Sequence, residues 1–176
     1  MVPVIAFCGV SRCGKDTAAA AVVKQLGWKR LAFADPLKLE ACKILGIGHE
    51  YLELHKQELR GLLVGLGAGH RMLDPDHWIK EAKKMMTSYV ADHVPGVVIS
   101  DVRYNNEAEW VRSIGGKVFI IERNGVVAAN DEERASLIPI KRHAAMHPTN
   151  ARYAIIKNNG SIEKLQTLAV TLARHV

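Results

Sequence analysis

Nine residues near the N-terminus constrain this chain more than any others. Gly9 to Thr17 read GVSRCGKDT, which is a glycine, four residues, a second glycine and a lysine. An apolar run, Val4 to Cys8, precedes them. An alanine-rich stretch with helical spacing, Lys15 to Leu26, follows and stops at Gly27. Strand, glycine turn and helix together are the context in which this spacing makes an anion cradle. The glycines let successive backbone N–H groups point inward at phosphate oxygens. The helix start adds partial positive charge beneath them, and Lys15 reaches the outer phosphates as a movable point charge. Gly9, Ser11, Arg12, Cys13, Gly14, Lys15, Asp16 and Thr17 are therefore the expected binding residues for a nucleoside triphosphate. Asp16 stands where a serine or threonine usually meets magnesium, and Thr17 follows it. A carboxylate serves magnesium directly or through water.

The rest of the chain alternates strands with helices. Trp28 to Phe33 reads as a second strand. Asp35-Pro36 opens a helix to about Leu45, with aspartate as N-cap and proline in the first turn. Glu50 to Leu66 reads as helix ended by Gly65, Gly67 and Gly69, and Asp74-Pro75 opens a helix to about Asp92. Val97 to Ile99 is a third strand, ending at Ser100-Asp101. Glu107 to Ile114 is a helix stopped by Gly115-Gly116, and Val118 to Ile121 a fourth strand. Tyr153 to Ile156 is a fifth strand, followed by the turn Asn158-Asn159-Gly160 and a closing helix from Ser161 to about Arg174. This order predicts an α/β fold in three layers, a five-stranded parallel sheet with helices on both faces. Asn124 to Asn150 is charged, weakly periodic and poor in core residues, the profile of a lid or binding loop.

The 176 residues suffice for one domain and are too few for two. No apolar run reaches the ~18 residues of a membrane span, and the N-terminal run lacks the basic start of a signal peptide. Cys8, Cys13 and Cys42 have no metal-ligand spacing, and their odd number suits a reducing cytosol. The expected location is therefore cytoplasmic. The net charge of +6 suits phosphorylated small molecules. No block of five like charges occurs, and no basic stretch alternates with aromatics, which argues against nucleic acid as a partner.

Ligands of parallel sheets gather at the carboxyl ends of the strands. Asp35 and Lys38 follow the second strand, Asp101 and Arg103 the third, and Arg123 the fourth. An acid behind three apolar residues, as at Asp101, suits magnesium or substrate. The alternative is an N-cap for the following turn.

In this order, GVSRCGKDT, FADPLK at Phe33 to Lys38, LRGLL with GHR between Leu59 and Arg71, DPDHW at Asp74 to Trp78, SDVRYNNE at Ser100 to Glu107 and IIKNNGSIEKL at Ile155 to Leu165 resemble the phage-type deoxynucleoside monophosphate kinases. The resemblance spans nearly the whole chain, and the DVR-x-N-E stretch is its most specific part. It implies ATP as phosphoryl donor, Mg2+ as its companion ion, and a deoxynucleoside monophosphate as acceptor. Lys15, Asp101 and Arg103 are then the catalytic residues, and Asp16, Thr17 and Asp101 serve the metal. Asp35, Lys38, Arg71, Trp78 and Arg103 line the acceptor pocket, whose helices lie within residues 50–92. Arg123, Arg134 and Arg142 are implied as lid residues, within 124–150, that close on ATP. A phage origin would place the protein in the host cytoplasm. The sequence leaves a homodimer open.

Val64 and Ala68 stand where this family tends to have glutamine and threonine. His147, Pro148, Thr149 and Asn150 replace its histidine-serine-glutamate ending of the lid. His143 and His147 read as structural or lid-surface histidines, because phosphoryl transfer relies on positioning and charge. Two alternatives stay open on the residues alone. One is another small-molecule kinase, such as one acting on dephospho-coenzyme A. The other is a nucleotide-binding module without turnover.

Overall fold

The structure, a computed structural model, describes residues 2–146 and 153–176. Among the described residues five strands form one all-parallel sheet: β1 (Val4–Cys8), β2 (Lys29–Leu31), β3 (Val97–Val102), β4 (Lys117–Glu122) and β5 (Tyr153–Lys157), in the spatial order β2-β3-β1-β4-β5. β1 lies at the centre, paired with β3 on one side and β4 on the other. Its side chains alternate between two apolar layers, as the strand period of two requires. Ile5 and Phe7 face the layer built with α1 (Lys15–Leu26) and α8 (Ile162–Arg174), where Ala18, Val22, Leu165 and Ala169 are buried. Val4, Ala6 and Cys8 face the opposite layer. That layer is covered by α5 (His77–Ala91), α6 (Asn105–Ser113) and α7 (Asp131–Met146) through Trp78, Ile79, Ala108, Trp110, Leu137 and Ile140. Burial on both faces explains why the strands read as unbroken apolar runs.

A smaller cluster sits to one side. Ala41 and Cys42 of α2 (Ala34–Leu45), Leu52 of α3 (His49–Leu54) and Leu63 and Leu66 of α4 (Arg60–Leu73) pack together beyond the sheet. The three-layer fold with five parallel strands is as expected. Three local expectations are corrected.

First, the glycines after Leu63 do not end a helix. Gly65, Gly67 and Gly69 lie inside α4, and helix instead breaks at residues 55–59. Glycine costs a helix interior about 1 kcal/mol. Packing offsets that cost here, because α4 lies against α2, with Gly67 buried beside the Leu37 side chain. Secondly, Asp35 does not cap α2, which begins one residue earlier and has no cap from its own local side chains. Thirdly, the stretch after Asn124 is not poor in core. Leu137, Ile140 and Ala144 of α7 are buried against the sheet layer. Pro139 interrupts the helical pattern in the sequence, and it is accommodated on the exposed side. The expected lid ending at His147 to Asn150 lies outside the described residues.

Candidate active site

The loop after β1 has the geometry its sequence requires. Gly9 and Gly14 adopt φ of 143° and 111°, in the region that disfavours a side chain. A Cβ on Gly9 would stand 2.4 Å from the Ile121 carbonyl of β4, and one on Gly14 would stand 2.7 Å from the Asn158 amide nitrogen. Asn158, buried at the end of β5, donates to the Cys13 carbonyl at 2.8 Å and so ties the loop to the sheet. The Lys15 side chain is buried and folded over the loop, donating to the carbonyls of Gly9 (2.8 Å) and Val10 (2.7 Å). Among the described residues it has no carboxylate partner, so its charge is held by dipoles alone.

The chain itself shows that the cradle takes anionic oxygen. Glu133 of α7 accepts from the Ser11 N–H at 2.8 Å. Its other oxygen accepts from the Ala129 N–H at 2.7 Å. A carboxylate from the segment after β4 therefore rests on an amide of the loop, where a phosphate oxygen would compete with it.

Two recesses meet at this loop. The smaller, about 200 Å³, is lined by Thr17, Arg123, Asn158, Gly160, Ile162 and Leu165 with Gly14. The larger, about 350 Å³, runs under α2 and α4 to the end of β3. Arg12, Lys15 and Asp16 line both. The larger recess also holds Arg30, Lys38, Lys56, Arg60, Arg71 and Arg103, against the acids Asp101, Glu107, Glu132 and Glu133.

Asp101 unites the two readings made of it. It lines the larger recess and also caps a helix, though not the one that follows it in sequence. Its oxygens accept from the Phe33 and Ala34 N–H groups at 2.9 and 3.0 Å, supplying α2 with the cap that Asp35 does not. Burial pushes its carboxyl upward, while those two amides and nearby Arg103 oppose the shift. The oxygens keep lone pairs, and Asp16 lines the same recess, so the two carboxylates offer the oxygen donors that magnesium prefers.

Arg71 is fixed from three sides. It donates to the Gly67 carbonyl at 3.2 Å, approaches Glu107 at 3.6 Å, and lies 4.1 Å over the Tyr104 ring. Glu107, buried in α6, reaches back to the N–H groups of Arg103 (2.8 Å) and Tyr104 (3.1 Å). Burial is the chief cause that raises its carboxyl to about 7. Glu107 thus orients both arginines expected at the acceptor. Arg103 itself is exposed, and its guanidinium makes no hydrogen bond or ion pair among the described residues. Lys38 pairs with Glu53 of α3 at 2.5 Å.

Some expected residues are placed otherwise. Asp35 does not line the cleft. It pairs with Arg30 (2.8 and 3.2 Å), which does. Trp78 lines the cleft but is 2% exposed and belongs to the core, its Nε1–H given to Gly67. Arg134 and Arg142 are exposed on α7, and neither is among the described residues lining the two recesses. His143 is structural, packed on Tyr153 and bonded to Arg112. Sequence reasoning missed Glu107 and Glu133. Glu107 had a signal, a glutamate at the third helical position, which reaches back to the amides before the helix. Glu133 had none, because its partner lies 122 residues away.

No protein-family model matches the chain. A protein of Acanthamoeba polyphaga mimivirus described as "Putative deoxynucleotide monophosphate kinase" is 25% identical, over 95% of this chain and 94% of its own. The likeness to deoxynucleoside monophosphate kinases read from the motifs thus extends along whole chains. Among solved structures, TT1252 from Thermus thermophilus superposes with a TM-score of 0.55 at 17% identity, covering 99% of this chain and 98% of its own. The dephospho-CoA kinase from Campylobacter jejuni gives 0.54 at 14%, covering 98% and 96%. The chain has the three-layer phosphate-loop fold.

Proposed function

We propose that this chain is an ATP-dependent small-molecule kinase whose acceptor is a nucleoside monophosphate, in first place a deoxynucleoside monophosphate. The observation that carries the reading is that two recesses share one lining, Arg12, Lys15 and Asp16. A phosphoryl transfer needs a donor and an acceptor that meet end to end over such a loop.

On this reading ATP occupies the smaller recess, with Arg123 beside it and its phosphates on the loop amides. Lys15 turns from the Gly9 and Val10 carbonyls to the outer phosphates. Magnesium supplies charge neutralisation when bound, and Asp16, Thr17 and Asp101 would hold it. The acceptor phosphate enters the larger recess, where Arg71 and Arg103 offer planar forks that grip two oxygens each. Glu107 fixes the first arginine by its side chain and the second by its backbone. Glu133 leaves the Ser11 amide as phosphate arrives, which links the N-terminal turn of α7 to loading of the site. Residues 124–130 and that turn form the moving part of the lid, and the core-packed remainder of α7 stays anchored.

The test is release of ADP, coupled to a spectrophotometric readout, across the four deoxynucleoside monophosphates, the ribonucleotides and dephospho-coenzyme A, with ATP and magnesium. At least one deoxynucleoside monophosphate should accelerate release far above the rate without acceptor. Acceleration by dephospho-coenzyme A alone refutes the acceptor, and a uniform background rate refutes the kinase.

A further inference from the structure

Outside the cleft, three helices bring together a set of donors that the proposed reaction does not use. Glu40 stands on α2, His70 on α4 and His77 on α5. One ligand atom from each lies within 4.8 Å of the others, and all three residues are partly buried. His70 Nε2 is 2.8 Å from Glu40 Oε1. The two imidazoles stack with centroids 4.1 Å apart and planes 19° from parallel. The Trp78 ring meets both edge-on, at 5.2 Å and 4.5 Å, and is itself held by the Gly67 carbonyl. Both rings thus pack against a buried neighbour.

We propose that Glu40, His70 and His77 form a binding site for a divalent transition metal of the zinc class. Two neutral imidazoles and one carboxylate are a donor set suited to zinc, with water as the fourth ligand. Magnesium, which prefers an all-oxygen shell, does not compete for it. Tetrahedral zinc with bonds of roughly 2.0–2.2 Å sets its ligand atoms about 3.3 Å apart. One pair is already closer than that, and the widest separation closes by rotation of the partly exposed side chains, which tilts the two imidazoles out of their stack so that both in-plane lone pairs meet at one ion. The metal replaces the proton shared between His70 and Glu40, so one interaction with a single carboxylate becomes a link among three helices.

The placement gives that link a consequence. Glu40 is two residues from Lys38, His70 adjoins Arg71, and His77 adjoins Trp78. Each ligand is therefore within two residues of one that lines the larger recess. A metal here braces that wall without touching the loop.

The experiment reads binding directly, so its outcome is independent of which acceptor the chain uses. Purified protein stripped with chelator is titrated with zinc by calorimetry, and with cobalt by visible absorption. A single equivalent of zinc should bind, and cobalt should give d–d bands. With free zinc at about a hundred times Kd, the melting temperature should rise by about 5–10 °C. His70→Gln and His77→Gln should each weaken binding by at least about tenfold, the usual range for loss of a metal-site partner, and should abolish the cobalt bands. His55→Gln, at the C-terminal end of α3, should leave both unchanged. Circular dichroism of the zinc-free variants confirms folding. If a variant is unfolded, Glu40→Gln, which keeps shape and removes the charge, takes its place. Zinc affinity unchanged in the His70 and His77 variants, or no saturable binding to the folded wild type, would mean the cluster is only a hydrogen-bonded pair beside a ring stack, and would overturn the proposal.

Discussion

The phosphate loop and the wall opposite it are built in opposite ways. Behind the loop the space is filled: a Cβ at Gly9 or Gly14 would collide with β4 or with Asn158, and Lys15 and Cys13 are buried. Along α4 the glycines at 61, 65 and 69 face open space, and Leu62, Val64, Met72 and Leu73 are exposed. The loop is held by contacts from the sheet, and its open side faces the two recesses. The wall is tied where Gly67, Trp78, Arg71 and Glu107 meet and where Leu63 and Leu66 pack on α2 and α3, and it presents exposed side chains between these points. On the proposed reading, phosphate is held by the tightly packed loop and selectivity belongs to the more open wall.

The largest expected effect tests the rigid side. Lys15→Ala should lower turnover by about 10²–10³, while circular dichroism stays unchanged, because the lost contacts are to two loop carbonyls. A folded variant with near-normal turnover would break the comparison at its better-defined end.

The joint between the two regions is sensitive to pH. Glu107 is raised by burial from the ordinary 4.5 to about 7. Between these values the folded chain holds a proton that the unfolded chain has released. The contribution is therefore fully present below pH 4.5 and lost as pH rises through 7, an amount of up to about 3 kcal/mol. Asp101, also raised by burial, adds the same sign. Urea midpoints from pH 4 to 8 should fall less steeply in Glu107→Gln. Parallel profiles for the two proteins would show that burial does not raise the Glu107 carboxyl.

The adjustable side is sharpened by its arginines. Arg71→Ala and Arg103→Ala should each weaken use of a monophosphate acceptor by about 10- to 100-fold, the worth of a charge-assisted contact of about 1.5–3 kcal/mol. Affinity for a non-hydrolysable ATP analogue should be nearly unchanged. Equal loss of both affinities would merge the two recesses into one site.

The smallest effect concerns the carboxylate on the loop. Glu133→Ala frees the Ser11 amide and should raise ATP-analogue affinity about fivefold, as expected for one hydrogen bond of about 1 kcal/mol. Hydrogen exchange at residues 129–136 should quicken in the same variant. Unaltered affinity would place Ser11 outside the phosphate cradle.

The loop was legible from the sequence because its information is local. Glycine positions, a lysine at fixed spacing and the flanking strand and helix all lie within residues 4–26. Strand positions were legible for a related reason, since burial on both sides leaves only apolar residues such as Val97 to Ile99. Helix ends were less so. Gly65 and Gly69 carry the local signal of a stop, and only packing of α4 beside α2 overrides it. α7 was hidden by Pro139 and by its charges, and the three residues that anchor it look like scattered apolar positions until the sheet is present.

The sequence by itself determined the phosphate loop, the parallel α/β sheet, and the identity of most charged groups in the cleft. Tertiary structure alone decided what those charges do. Asp101 caps a helix 67 residues before it, Glu107 holds Arg71 from another helix, Glu133 rests on the loop, and Glu40, His70 and His77 converge from three helices. The reason is physical: backbone conformation follows from neighbours in the chain, whereas the field at a carboxylate or an imidazole falls off within a few ångströms and depends on whatever the fold carries there.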